Sequence, residues 1–232
     1  MRHSFGVVAE GFFLFVLVLR MCGTYSLSVD LENLPRPIKN SLSSKHKKNY
    51  QPRELIRPSE PILSLKAEGE KTSASLMLWG LIPSWAKNLE KCPKPFNARA
   101  ETILDKPTFR NAWRHHRCLI PASAFYEKSH LIKRKDSAVF WLAGLWNRWI
   151  SADGSEIDTC SVITTQSNNL VKPIHSRMPL IISMGFENYW IKQKDALELR
   201  TLERILLDKW SPEGWIVKPM LSTKKSYQMS LF

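Results

Sequence analysis

The sequence predicts a single α+β domain. Short apolar runs of strand length alternate with short helical segments. No internal repeat and no linker of domain-boundary type divides the chain. With 232 residues, 44% of them hydrophobic, it is long enough to bury one sizeable core.

In chain order, residues 24–34 read as a short strand followed by a polar stretch. Residues 35–60, rich in Pro, Lys and Ser and without a hydrophobic period, predict a long loop. Ile62–Leu65 and Ser75–Trp79 predict strands, and Leu81-Ile82-Pro83-Ser84-Trp85 turns off the second of them. Phe109–His116 fits a short helix, and Arg117–Pro121, Ala138–Leu145 and Asp158–Thr164 read as buried strands. Ser167–Ile174 predicts a helix ending near His175, and a helix containing Trp190 begins near Gly185. Leu197–Asp208 is amphipathic, with Leu197, Leu199, Leu202, Ile205 and Leu206 assigned to one side. Trp79, Trp141 and Trp146 read as core.

The first twenty residues are MRHSFGVVAEGFFLFVLVLR. The apolar run Phe12–Leu19 is shorter than the roughly 20 residues a spanning helix needs. Glu10 before it, Arg20 after it and the lack of an A-x-A site argue against a signal peptide. Residues 1–21 therefore read as a leader, either a mis-assigned start ahead of Met21 or a removed extension, with the domain occupying 22–232. A membrane tether through Phe12–Leu19 is the less favoured alternative.

Formal net charge is +13. Arg2, Arg20 and Glu10 are the only formally charged side chains in residues 1–21, so the basic excess belongs to the remainder. Such an excess suits a polyanionic partner, nucleic acid being the simplest, although a basic protein of another kind fits the charge equally. The four cysteines, Cys22, Cys92, Cys118 and Cys160, form no C-x-x-C pair and are too few for a disulfide framework. They read as thiols in a reducing compartment, and no metal site or nucleotide cofactor is predicted.

Seven segments stand in a distinctive order: Met21-Cys22-Gly23, WGLIPSWAK at 79–87, FNARAET at 96–102, RCLIPASAFYE at 117–127, LAGLW at 142–146, VITT at 162–165 and IHSRMP at 174–179. Together they resemble the SRAP family, the SOS-response-associated peptidase or abasic-site processing domain, across about 22–185. The resemblance implies a compact fold with a β-barrel-like mixed sheet core and flanking short helices. It also implies a single-stranded DNA groove and an N-terminal Cys that reacts with the ring-opened aldehyde of an abasic site.

The residues suit that chemistry. An amine attacks an aldehyde carbon to give an imine, and a thiol on the adjacent carbon then closes a five-membered thiazolidine. Only an N-terminal Cys carries both groups so placed, and its α-amine, with a pKa near 8, is partly neutral at pH 7, unlike a Lys amine near 10.4. Cys22 qualifies once Met21 and everything before it are gone. By the resemblance, Asn97 holds the amine or a sugar hydroxyl. Glu127, beside Phe125-Tyr126, matches the family acid that moves protons, and His175 matches the His that protonates the ring oxygen or assists reversal. Arg99 and Arg177, two residues after Asn97 and His175, read as phosphate ligands or as structural ion pairs. Trp85 reads as a base-stacking wedge or as core. Lys45, Lys47 and Lys48 read as a phosphate-attracting cluster or a solvated loop. Thr24 stands where the family usually has Arg.

The function expected is covalent capture of abasic sites in single-stranded DNA within the DNA damage (SOS) response. Self-processing peptidase activity on the leader and a weak lyase activity accompany it. The protein is expected to be a monomer, cytoplasmic and nucleoid-associated, with no cofactor and no membrane partner. The alternative is a non-covalent single-stranded DNA binding module in which the leader blocks Cys22. A general Cys protease is less attractive, because no protease signature surrounds any Cys.

Overall fold

A computed structural model describes residues 23–69, 71–89, 91–192, 195–207 and 210–220. The elements run β1 (Tyr25–Leu27), α1 (Arg36–Ser41), α2 (Ser44–Lys48), β2 (Arg53–Ile56), β3 (Pro61–Glu68), β4 (Lys71–Trp79) and β5 (Asn97–Arg99). They continue through α3 (Pro107–His115), β6 (Arg117–Ala122), β7 (Ala124–Glu127), β8 (His130–Arg134), β9 (Phe140–Ile150) and β10 (Glu156–Gln166). The last described elements are β11 (Arg177–Pro179), β12 (Ile181–Ile182), α4 (Glu187–Ile191), α5 (Ala196–Leu207) and β13 (Trp215–Pro219).

Five strands close on themselves. β10 pairs in parallel with β4, and β4–β3, β3–β6, β6–β9 and β9–β10 are antiparallel, which completes a barrel with no free edge inside the ring. The wall is tight at Gly144 of β9, where a Cβ would come 2.7 Å from Cys118 Sγ and 3.3 Å from the Ser161 carbonyl oxygen. A second, antiparallel sheet runs β13-β8-β7-β1-β2. One core joins the two sheets: Tyr25 of β1 meets Trp79 of β4 edge-on at 5.4 Å, and Phe125 of β7 meets Phe140 of β9 at 6.5 Å.

Residues 35–60 correct the loop expected there, since they contain α1, α2 and β2. Pro37 stands in the first turn of α1, where its missing N–H costs nothing, while Ile38 and Leu42 are buried beneath it. The Ser43 hydroxyl caps α2 by accepting from the His46 N–H at 3.3 Å. Helices of six and five residues are too short to display an apolar period.

Residues 167–174 correct the helix expected there, since 169–174 form successive turns. The Asn168 side chain takes the N–H groups of Leu170 and Val171, and Pro173 has no N–H with which to continue a helix. In α5, Leu202 is buried and Leu199 and Ile205 pack on the core, but Leu197 is 73% exposed and leaves the apolar side assigned to it. Trp79 and Trp141 are core, and Trp146 is half-buried under the Lys66 ammonium, 4.3 Å from its ring centroid. No helix among the described residues is long and apolar enough to cross a membrane.

Candidate active site

β10 organises the site. Its C-terminal half is flanked on one edge by β5, with Asn97 opposite Val162, and on the other by β11, with Arg177 opposite Gln166. Asn97 and the turn carrying His175 thus come up on two sides of one strand. His175 is held in that turn by its own N–H, which donates to the Val171 carbonyl at 3.0 Å, and by Ser167 N–H donating to the Ser176 carbonyl.

Glu127 arrives from the other sheet, at the end of β7. The hairpin that follows turns through Lys128 and Ser129, both with positive φ, and re-pairs Glu127 with His130. Glu127 and His175 are both buried, and Glu127 Oε1 lies 3.5 Å from His175 Nδ1. The same nitrogen lies 3.1 Å from the Arg177 carbonyl oxygen and 3.3 Å from its amide nitrogen. Nδ1 is thus the ring nitrogen that faces the Glu127 carboxyl, the Arg177 N–H and the Arg177 carbonyl together. A carboxyl in contact with an imidazole out of water is an arrangement for passing a proton.

β1 runs antiparallel to β7, with Tyr25 opposite Phe125, and Tyr126 N–H donates to the Thr24 carbonyl at 3.0 Å. The described chain therefore begins, at buried Gly23, alongside the end of β7 that carries Glu127. Cys22 itself lies outside the described residues, as does the leader. The other three cysteines are free; Cys118 and Cys160 are fully buried, and burial raises both thiols, that of Cys160 to about 12. Neither is available as a thiolate nucleophile.

The two arginines part company. Arg99 is exposed on β5. Arg177 faces inward, donating to Glu101 Oε1 at 2.6 Å and to the Thr164 carbonyl at 2.6 Å. Burial, the largest single influence, would raise the Glu101 carboxyl, but the hydrogen bond from Arg177, a backbone N–H and the charges of Arg177 and Arg99 together outweigh it and hold the group below the usual carboxylate range. Glu101 was not singled out from the sequence, although it follows Asn97 by four residues in FNARAE; nothing in that spacing signals an ion pair to a residue 76 positions away.

Trp85 is 59% exposed on a loop pinned from both sides. Ile82 N–H donates to Thr159 Oγ1 and Asn147 Nδ2 to the Ile82 carbonyl, while Trp149 Nε1 donates to the Ala86 carbonyl. Core packing is thereby excluded for Trp85. Lys45, Lys47 and Lys48 are exposed on α2. A cavity of about 1290 Å³ is lined by Trp141, Glu187, Trp210 and Trp215 and by none of Asn97, Glu127, His175, Arg99 or Arg177. No cluster of three His, Cys, Asp or Glu among the described residues is arranged to hold a metal ion.

Known proteins resemble this chain in sequence and in fold. The chain is 41% identical over 196 residues to "Abasic site processing protein YoaM" of Bacillus subtilis (strain 168), covering 80% of this chain and 86% of that protein. It is 36% identical over 185 residues to "Abasic site processing protein YoqW" of the same organism, covering 76% and 82%. A crystal structure of a Bacteroides thetaiotaomicron protein, 24% identical, superposes with a TM-score of 0.74 over 87% of this chain and 93% of that one. The profile of the family described as SOS response associated peptidase (SRAP) matches residues 21–220, which take in the barrel, the second sheet and the Glu127–His175 pair, and the chain belongs to that family.

Proposed function

We propose that this protein captures abasic sites in single-stranded DNA as a covalent adduct on Cys22. The observation that carries the reading is the buried Glu127–His175 pair beside the point where the chain enters at Gly23. The names of the relatives and the net charge of +13 support it.

The open sugar presents an aldehyde at C1′. The neutral α-amine of Cys22 adds to that carbon, and the carbinolamine loses its oxygen as water to leave an imine. The thiol sulfur then adds to the imine carbon as its proton passes to nitrogen, closing the thiazolidine. His175 gives a proton to the ring oxygen during opening, and Glu127 supplies the proton on which water departs. Asn97 holds the amine or a sugar hydroxyl by hydrogen bonds. Arg99 and Trp85, both exposed, take a phosphate and a base beside the lesion, and Arg177 adds charge from within.

The α-amine exists once residues 1–21 are absent, and the family match beginning at Met21 supports that boundary. Self-processing of the leader and slow β-elimination from the imine belong to the same reading. A second reading is favoured by the 21 residues that precede Cys22 in the sequence: with them attached, the protein is a non-covalent single-stranded DNA binding module.

The test is a denaturing gel of purified protein incubated with a single-stranded oligonucleotide bearing one abasic site, beside undamaged DNA and a Cys22→Ala variant. Intact mass establishes the first residue. A shifted band that requires both the lesion and Cys22 is expected. Its absence, from protein whose mass begins at Cys22, overturns the adduct.

A further inference from the structure

The guanidinium of Arg177 is gripped from two elements. Nη1 donates to Glu101, in the 3-10 turn Ala100–Thr102, and Nη2 donates to the Thr164 carbonyl at 2.6 Å and to Thr164 Oγ1 at 3.1 Å, on β10. Nε is buried and meets no acceptor among the described residues. Of five N–H groups, then, three are committed and one is enclosed, so the fork cannot offer a two-pronged contact to a phosphate without releasing Glu101 or Thr164.

The peptide unit of Arg177 does something else. Its carbonyl oxygen and amide nitrogen both lie against His175 Nδ1, at 3.1 and 3.3 Å, and the same Nδ1 faces Glu127. Glu101, Arg177, His175 and Glu127 thus form one contiguous chain of contacts, in which a carboxylate outside the pair fixes the residue against which the imidazole rests. We propose that Glu101 is a positioning residue for the His175–Glu127 pair, acting through Arg177. The proposal rests on the adduct reading of the site. Glu101 does not touch the reacting atoms; it sets the place of the ring that does. A charged, two-element anchor suits this task, because displacement of about 1 Å in a proton-transfer group costs on the order of 100-fold in rate.

The experiment compares wild type with Glu101→Ala and Glu101→Gln by three readouts. The ring nitrogen signals of His175 are titrated in ¹⁵N-labelled protein without DNA. Rates of adduct formation are measured against pH at saturating abasic oligonucleotide. Affinity is measured for undamaged single strand. Glu101→Ala is expected to move the His175 ring signals, slow adduct formation on the order of 10- to 100-fold and shift the pH profile, with affinity for undamaged DNA unchanged. Glu101→Gln, whose amide oxygen still accepts from Nη1, recovers most of the rate and keeps the fold if the Ala variant loses it. His175 signals and a pH profile that match wild type in Glu101→Ala overturn the proposal. So does a loss of affinity with the saturated rate intact, which would make Glu101 a partner in DNA binding instead. Wild-type protein that forms no adduct sinks the earlier reading alone, since the ring titration still decides this one.

Discussion

Trp85 is the residue whose surroundings separate function from stability most cleanly. Its loop is fastened to β9 and β10 by Asn147, Trp149 and Thr159, so the exposed indole rides on a fixed platform. A large aromatic held in water contributes little to folding, and its removal should leave stability within about 0.5 kcal/mol. Base stacking on such a ring is worth about 1–3 kcal/mol, so Trp85→Ala should weaken single-strand binding by about one to two orders of magnitude. Fluorescence anisotropy with a labelled single-stranded oligonucleotide, beside urea unfolding, checks both halves; unchanged affinity would assign the ring no role on DNA. By the same logic, Asn97, Glu127 and His175 could be picked out from the sequence because each sits in a local motif. Glu101 could not, because its importance is made by a contact with Arg177 that only the fold creates.

At the scale of elements, β6 shows what local pattern conceals. Arg117–Pro121 was legible as a buried strand, and every residue of β6 is buried, the arginine included. Arg117 escapes the cost of burial by donating to four carbonyls: those of Trp113 and Arg114 at the C-terminal end of α3, and those of Trp190 and Lys192 at the end of α4. It thereby caps two helix ends at once, where unpaired carbonyls and the negative end of each helix favour a cation. Burial is still felt, lowering its pKa to about 10. Arg117→Ala should destabilise the fold by at least about 3 kcal/mol, because it removes charge-assisted bonds and leaves buried carbonyls unpaired. Arg117→Lys should recover only part of that, since one ammonium cannot reach four acceptors in a fixed fork. Chemical denaturation of the two variants measures this, and equal loss in both would mean that charge, not fork geometry, holds the helix ends. The segments misread from sequence, 35–60 and 167–174, share a cause: their structure is set by side-chain caps from Ser43 and Asn168 and by single anchors such as Ile38, not by periodicity.

For the whole molecule, the α+β class and most barrel strands were legible because β3, β4, β6, β9 and β10 each carry an apolar run long enough to read. Closure was not legible from the runs themselves, since the parallel β10–β4 pairing joins residues about eighty positions apart and only the resemblance implied a barrel. The closed barrel also creates a polar cluster with a consequence for stability. Lys66, 2% exposed on β3, is paired with Asp158 of β10 at 2.7 Å, and the Trp146 ring of β9 meets both the Lys66 ammonium, 4.3 Å from its centroid, and the His116 ring, 4.7 Å away by centroids. Burial above all, then His115 and Lys66, pushes the His116 imidazole below its ordinary value, against the opposing pull of Asn147 and Asp158. The folded protein therefore resists protonating a group that the unfolded chain protonates near pH 6.5. Unfolded chains bind more protons as pH falls through that value, so stability drops there and goes on dropping until the folded-state value is reached. The urea midpoint should accordingly decrease between pH 7.5 and 5. His116→Phe, which keeps an aromatic ring against Trp146 but cannot titrate, should flatten that decrease while leaving the midpoint at pH 7.5 nearly unchanged. An identical pH slope in the variant would show that groups other than His116 set the acid limit of the fold.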